Sequence, residues 1–416
     1  MQMVENSYRP FLIVFIASLM FFYAFALVSI FNVLQPHLAN SLNISSTLLG
    51  LISSVSFYVE ILFLFPAGPI LDSYSVKRVL IITLFISISG VLLTAFSNSI
   101  STLLIARMLM AIAASFGFAG SVKLAVNWLP KKYFGQGITF IGAMGFLGGL
   151  VVQIPLTYSI SKIGWRHSLY GVSLIGILIL VLIVLIVKNH PEKGFAVLKE
   201  MDSEPKISLF KKFKLAFFNT QNLLCGLYAS LMNLPIFMLG AMWGISYLIT
   251  VNQISELTAA TVCTMIFLGT IIGCPLVGII SDIFVCRKLI MRIGAIFSFS
   301  LILAIIFYPS QNYMVLIISY FFLGLLSSTQ MLSYPIVIEN NSKLISSSAT
   351  SVVSMLTMVG GAISQPLFGY IIHQSSHDSI IKATHSYQYA MGILPFAFMM
   401  AFIVSFLIKD TIDQKG

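Results

Sequence analysis

Twelve apolar segments of membrane-spanning length dominate the sequence. A helix needs about 20 mostly apolar residues to cross the hydrocarbon core of a bilayer. Only 9% of the 416 residues are charged and 58% are hydrophobic, whereas a soluble domain carries about 25% charged residues. A surface with so few charges must face lipid, so the sequence predicts an all-α membrane protein. The predicted spans 1 to 12 are residues 10–38, 47–70, 79–97, 101–127, 137–160, 167–187, 217–249, 257–280, 289–308, 312–338, 346–373 and 388–408.

One long polar segment divides these spans into two sets of six. Residues 188–214 are rich in proline, lysine, glutamate and serine. The sequence therefore predicts a six-helix half over residues 1–187, a cytoplasmic linker over residues 188–216 and a second six-helix half over residues 217–416. The first apolar run is too long for the hydrophobic region of a cleavable signal peptide.

The basic residues fix the predicted orientation, because lysine and arginine in short loops stay in the cytoplasm. With a cytoplasmic N-terminus, 18 of the 23 basic residues fall in cytoplasmic segments and only three fall in outer loops. We therefore expect a multi-pass protein of the bacterial inner membrane with both termini in the cytoplasm. This topology accounts for the net charge of +10, so no nucleic-acid partner is predicted.

A sequence repeat relates the two predicted halves. The loops after spans 2 and 8 share a glycine, an aspartate and a basic pair at the same spacing, 210 residues apart. Spans 5 and 11 share a Gly-Gly pair and a glutamine at an offset of 212. Parallel repeats are a known plan of secondary transporters, with the solute site near the midplane between the halves. The matching residues are Gly68, Asp72, Lys77 and Arg78 with Gly278, Asp282, Arg287 and Lys288, then Gly148, Gly149 and Gln153 with Gly360, Gly361 and Gln365.

The loop pattern Gly-x-x-x-Asp-x-x-x-x-Lys-Arg resembles the signature of the major facilitator superfamily between helices 2 and 3, with its weaker copy between helices 8 and 9. Arg107, followed by small residues, is similar to that family's helix-4 motif. The strings Asn127-Trp128-Leu129-Pro130 and Gly164-Trp165-Arg166 resemble the branch of organic-anion symporters, sugar-phosphate carriers and bacterial nutrient permeases. The resemblance implies the major facilitator fold, with twelve transmembrane helices in two six-helix halves and pseudo-two-fold symmetry.

The same resemblance implies a cytoplasmic gate and a central cavity lined by helices 1, 4, 7 and 10. The gate residues would be Asp72, Lys77, Arg78, Asp282, Arg287 and Lys288. Two positions depart from the family pattern. Ser75 replaces the usual loop glycine, and span 1 lacks the arginine found in many anion carriers, which counts against an anionic solute.

Three charged residues lie inside predicted spans, where a charge is costly and usually functional. Glu60 in span 2 and Arg107 in span 4 lie at depths from which their side chains can pair. Such a pair would be either a proton-coupling switch or a structural ion pair, and a lipid-facing Glu60 is the third reading. Lys123 lies on nearly the opposite face of span 4 from Arg107 and near the helix end, where its side chain can reach the interface.

Polar residues in the apolar stretches of the cavity helices are the remaining candidates for binding a solute. Tyr23 and Asn233 occupy equivalent repeat positions in spans 1 and 7, while Asn32 with Gln35, and Gln330 with Tyr334, share helix faces by their spacing. Gln153 and Gln365 follow the repeated glycine pairs. Buried amides can bond a polar solute, although hydrogen bonds between helices explain them equally well.

These features favour a secondary transporter that takes up a small polar metabolite, such as an amino acid, a nucleoside or an organic anion, with protons. An efflux permease for a drug or siderophore is the alternative, and a non-transporting receptor is a remote one. Scattered histidines and cysteines give no metal site, no catalytic cluster and no cofactor, and the chain has no nucleotide-binding loop of the Walker type. The expected partners are the solute, protons and the lipid bilayer. The protein itself is expected to be a monomer.

Overall fold

The computed structural model describes residues 2–130, 133–189, 209–284, 286–342, 345–375 and 380–409. Within these ranges the chain is helical and has no β-strand. The spans are Gln2–Leu42 (span 1), Ser46–Ser73 (span 2), Val76–Phe96 (span 3), Ile100–Trp128 (span 4), Phe134–Ile186 (spans 5 and 6), Thr220–Met232, Ile236–Trp243 and Gly244–Asn252 (span 7), Glu256–Phe284 (span 8), Arg287–Phe307 (span 9), Tyr313–Ser327, Ser328–Leu332 and Ser333–Asn340 (span 10), Ser346–Ser375 (span 11), and Ile380–Met391 and Ile393–Leu407 (span 12).

The count of spans depends on one glycine. Ten described helices are long and apolar enough to cross a membrane, and a bent pair in span 7 makes eleven. The helix Phe134–Ile186 has 53 residues, which is about 80 Å at 1.5 Å per residue and more than twice the bilayer core. Gly164 breaks it with a φ of 78°, a conformation that glycine adopts without steric cost. This helix therefore contains spans 5 and 6, and the described chain contains the twelve predicted spans.

Polar residues at the helix ends set where several spans begin. Ser99 accepts a hydrogen bond from the Thr102 amide and forms a capping box at the start of span 4. Ser75 caps span 3, and Asn219 and Asn312 cap spans 7 and 10. These side chains satisfy amides that have no partner within the helix, so short loops suffice between long apolar helices.

Spans 7 and 10 are not regular α-helices. Span 7 bends by 42° after Met232 and continues after Pro235 as a π-helix over Ile236–Trp243. Span 10 contains a 3₁₀ turn over Ser328–Leu332. Proline has no amide to donate, and a change of helix type leaves some main-chain carbonyls without a helical partner. These carbonyls need donors from neighbouring helices.

Contacts divide the chain into two compact units. The first contains Met1–Val28, Val59–Gly149 and Ser159–Ile207, and the second contains Ser29–Tyr58, Leu150–Tyr158 and Ser208–Gly416. Spans 1, 2 and 5 therefore contribute one part to each unit. The core of each unit is made of buried apolar side chains, with serine and threonine hydroxyls bonded to carbonyls one helical turn away, as Thr83 and Thr270 are.

Spans 1 and 5 pack closely in the first unit through the repeated glycines. A Cβ atom at Gly148 would lie 1.9 Å from the main-chain oxygen of Phe22, so no other residue fits there without moving the helices apart. In the second unit, the repeat-related Gly360 of span 11 lies against Ser230 of span 7. A Cβ atom at Gly360 would lie 2.4 Å from the side-chain oxygen of Ser230. The repeat thus fixes equivalent close approaches between helices in the two units.

Candidate functional site

The first unit buries two side chains of opposite charge type, Arg107 and Glu60. Arg107 is 1% exposed and Glu60 is 7% exposed, and each interacts electrostatically with the other. The Arg107 Nη1 also donates a hydrogen bond of 2.8 Å to the main-chain oxygen of Leu27. The guanidinium therefore bonds span 4 to span 1 and interacts electrostatically with Glu60 of span 2. The electrostatic attraction and the hydrogen bond offset part of the high cost of placing charged groups inside a membrane protein.

This arrangement has a simple chemical capability. A guanidinium is planar and remains charged, and its fork of N–H donors matches a carboxylate or another oxyanion. The Glu60 carboxylate is the group of the pair that can take up a proton. A proton on Glu60 would neutralise it and leave the charge of Arg107 available to a second anion.

The first unit also contains the candidates Tyr23 and Lys123. The Tyr23 hydroxyl donates to the main-chain oxygen of Val172 in span 6, at 3.3 Å, and its ring lies against Gly176. Lys123 is half-buried on span 4. Tyr23 thus connects spans 1 and 6 in this structure, and it would have to exchange that bond to bind a solute.

Asn32 meets the π-helix of span 7 in the second unit. Its amide nitrogen lies 2.9 Å from the oxygen of Leu239 and 3.0 Å from the oxygen of Gly240, and its amide oxygen accepts from the Ile245 amide at 3.1 Å. The same nitrogen lies 3.1 Å from the side-chain oxygen of Gln153. Asn32 is fully buried, and its side chain replaces the main-chain partners that the π-helix leaves unpaired.

The two glutamines of the repeat bond the same π-helix. Gln153 of span 5 donates to the oxygen of Gly240 at 3.0 Å, and Gln365 of span 11 donates to the oxygen of Phe237 at 2.8 Å. Trp243 returns a bond of 3.1 Å to the main-chain oxygen of Gln365. Three amides from spans 1, 5 and 11 therefore hold one irregular stretch of span 7, which we call the π-helix clamp (Asn32, Gln153 and Gln365).

The remaining predicted polar residues bond neighbouring spans in the second unit. Gln35 accepts a hydrogen bond from Ser246, so Asn32 and Gln35 share a face directed at span 7, as their spacing predicts. Gln330 donates to Asn233 at 2.7 Å. The Tyr334 and Ser354 hydroxyl oxygens lie 3.3 Å apart.

The repeated loop motifs take different partners. The Lys77 Nζ donates to the oxygen of Val184 at the end of span 6, at 2.6 Å, while the Arg78 side chain is exposed. Arg287 forms a two-pronged pair with Glu339 at the end of span 10, and one of its contacts measures 3.0 Å. The Lys288 Nζ lies 3.4 Å from the oxygen of Phe406. The side chains of Asp72 and Asp282 lie outside the described residues.

Sequence reasoning missed the partners of two acidic residues in the second unit. Glu339 is the acidic partner of Arg287, and His37 lies 2.9 Å from Glu256 at the loop-facing ends of spans 1 and 8. The scarcity of acidic residues near span ends was a usable signal, because each one would be expected to have a partner. The partners come from distant parts of the sequence, so spacing gave no means to choose them.

Known protein families were compared with the chain, and the family match reflects its two halves. The family model of the Major Facilitator Superfamily matches the chain twice, over residues 14–251 and 226–415. A probable sulfoacetate transporter SauU of Cupriavidus necator is 25% identical over 177 residues, which are 42% of this chain and 41% of that protein. A probable galactarate/D-glucarate transporter GudP of Bacillus subtilis is 23% identical over 267 residues, which are 59% of this chain and 58% of that protein.

These matches span less than two thirds of the length of the curated relatives. The fold comparison covers more of the chain. A bacterial homolog of the human lysosomal transporter Spinster superimposes with a TM-score of 0.81 over 98% of both chains, at 14% identity. The likeness of fold agrees with the twelve described spans. The two matches of the family model show the family. The chain belongs to the major facilitator superfamily of membrane transporters.

Proposed function

We propose that this protein is a secondary transporter that takes up a small organic anion together with protons by alternating access. The buried pair of Glu60 and Arg107 carries the proposal, because it combines a group that accepts a proton with a group that binds an anion. The names of two relatives support the solute class, since one refers to sulfoacetate and the other to galactarate and D-glucarate. Arg107 in span 4 supplies the buried cation that span 1 lacks.

In this proposal the proton and the solute bind in a linked way. Protonation of Glu60 removes the anion that neutralises Arg107, and the carboxylate or sulfonate of the solute then takes its place. The buried site keeps one positive and one negative charge in both conditions, so the cost of burial is similar. Loss of the proton lets Glu60 compete again for Arg107 and favours release of the solute.

We further propose that the π-helix clamp belongs to the gate at the end of the protein that carries the loop between spans 1 and 2. Asn32 and Gln153 bond span 7, and near the same end Ser46 donates to the oxygen of Gly369 at 3.0 Å. The loop charges predict that this end faces the outside. Opening toward the outside would exchange these hydrogen bonds for others, and their modest net energies permit such an exchange.

Uptake into proteoliposomes tests the proposal. The purified chain would be reconstituted, and uptake of labelled sulfonates, mono- and dicarboxylates, amino acids and nucleosides would be measured with an inward or an outward proton gradient. The proposal predicts accumulation of an organic anion that requires the inward gradient. Uptake favoured by the outward gradient would instead indicate proton-driven export. Solute binding without accumulation under either gradient would favour a receptor.

A further inference from the structure

Arg292 has no acceptor among the described residues. This residue lies on span 9, five residues after the helix begins at Arg287, which is about 8 Å along the helix. Its Nε is buried without a hydrogen-bond partner, and its guanidinium carbon lies 4.0 Å from the centre of the Phe406 ring. A guanidinium at this depth in a membrane protein needs an anionic or polar partner, and an aromatic face supplies only part of that need.

The surroundings of Arg292 combine positive charge with exposed apolar surface. Spans 9 and 12 pack against each other, and Lys288 lies one helical turn before Arg292. The side chains of Leu289 and Ile293 on span 9 are exposed, as are those of Phe406, Leu407 and Lys409 at the end of span 12. We call this surface the span 9–12 groove (Lys288, Leu289, Arg292, Ile293, Phe406, Leu407 and Lys409).

The acidic residues that could neutralise the positive charge of this surface either pair with another residue or lie outside the described residues. Glu339, at the neighbouring end of span 10, pairs with Arg287. Asp410 and Asp413 follow Lys409 in the sequence and lie outside the described residues. Basic pockets between helices, with apolar walls at the headgroup level, suit the headgroups of anionic lipids.

We infer that the span 9–12 groove binds an anionic phospholipid. The Arg292 guanidinium would bind the phosphate with two of its N–H groups, Lys288 and Lys409 would provide further positive charge, and the acyl chains would lie along Leu289, Ile293 and Phe406. Phosphate is the shared chemistry of this lipid and of soluble phosphate esters. The exposed apolar walls favour the lipid, because a soluble ester has nothing to place against them.

Lipid retention by the purified full-length chain tests this inference. Native mass spectrometry would compare bound phosphatidylglycerol and phosphatidylcholine for the wild type, Arg292→Gln and Lys162→Gln. The Lys162 variant is the control, because this exposed lysine lies near the helix break between spans 5 and 6, away from spans 9 and 12 in the sequence. We expect the wild type to retain phosphatidylglycerol preferentially. Arg292→Gln should weaken that retention about fivefold, the effect of removing one basic residue near an anionic surface, and Lys162→Gln should leave it unchanged.

Two further arms make the result decisive. Arg292→Lys keeps the charge but loses the planar fork, so its retention should lie between those of the wild type and Arg292→Gln. If Arg292→Gln does not fold, the exposed Lys409→Gln replaces it and should also weaken retention. Equal retention by the wild type and the groove variants would overturn the inference. Thermal stabilisation by glycerol 3-phosphate equal to that by phosphatidylglycerol would also overturn it, because the groove would then bind a soluble ester.

Discussion

Gln153 and Gln365, which lie 212 residues apart at equivalent positions of the repeat, both donate hydrogen bonds to the π-helical stretch of span 7. Their acceptors differ in one respect. The oxygen of Gly240 lies near the amides of both Gln153 and Asn32, whereas Gln365 is the side-chain donor to Phe237. The repeat therefore supplies two equivalent amides that both stabilise the irregular part of one span.

Removing the two amides should have unequal effects. Gln365→Ala leaves the oxygen of Phe237 without its side-chain donor, so we expect a loss of about 1–3 kcal/mol of stability, the usual cost of an unsatisfied buried group. Gln153→Ala removes two bonds but should cost less, because Asn32 still bonds the oxygens of Leu239 and Gly240. Thermal unfolding in detergent measures both. Gln136→Ala, which removes an exposed amide, serves as the control, and equal unfolding temperatures for all three variants would contradict this account.

The close approach of spans 1 and 5 gives a second prediction. Gly148→Ala would place a Cβ atom against the oxygen of Phe22 and should destabilise the protein by about 1–3 kcal/mol, as overpacked cores do. Gly142→Ala lies on the same helix, where a Cβ atom meets nothing within 4 Å. That control should be neutral or slightly stabilising, because alanine favours helix more than glycine does. Similar unfolding of the two variants would show that the packing at Gly148 is not tight.

Two adjacent basic residues should differ in their contribution to stability. The Lys77 ammonium bonds a carbonyl in the last turn of span 6, where a positive charge interacts favourably with the helix dipole. Lys77→Gln should therefore cost about 0.3–1 kcal/mol. The side chain of Arg78 is exposed, and Arg78→Gln should have a smaller effect. The reverse order in thermal unfolding would argue against capping by Lys77.

The buried pair predicts a non-additive effect of mutation. Glu60→Gln leaves Arg107 as an unpaired buried charge and should cost about 3–5 kcal/mol. Arg107→Gln should cost less, because Glu60 can take up a proton and become neutral. The double variant removes both charges and should be more stable than either single variant. A double-mutant cycle on thermal unfolding measures this coupling. Additive losses would mean that the two side chains do not depend on each other.

Much of the fold could be predicted from the sequence, because a bilayer imposes strong rules on length and polarity. The twelve spans and the break between spans 5 and 6 followed from apolar segments, loop charge and the repeat. The family followed from the resemblance of the loop motif after span 2 and of the motif at Arg107. The change of helix type in span 7 could not be predicted. Pro235 indicated a bend, but the choice of a π-helix depends on amides that reach it from spans 1, 5 and 11.

The candidate site was also predictable only in part. Glu60 and Arg107 stood out as charges inside spans, and the structure buries both side chains in the first unit, while their pairing stays a prediction. The amides at positions 32, 153 and 365 also stood out, but their hydrogen bonds go to the main chain of span 7. A buried amide has the same sequence signal whether it serves a solute or a neighbouring helix, so only the contacts separate the two roles.

Coupling through Glu60 is tested most directly by comparing two transport modes of Glu60→Gln in proteoliposomes. One mode is accumulation driven by an inward proton gradient, and the other is exchange of labelled for unlabelled solute without a gradient. The proposed role of Glu60 predicts that the variant loses gradient-driven accumulation but retains exchange, because glutamine mimics the protonated carboxyl. Gradient-driven accumulation at the wild-type level in Glu60→Gln would contradict it.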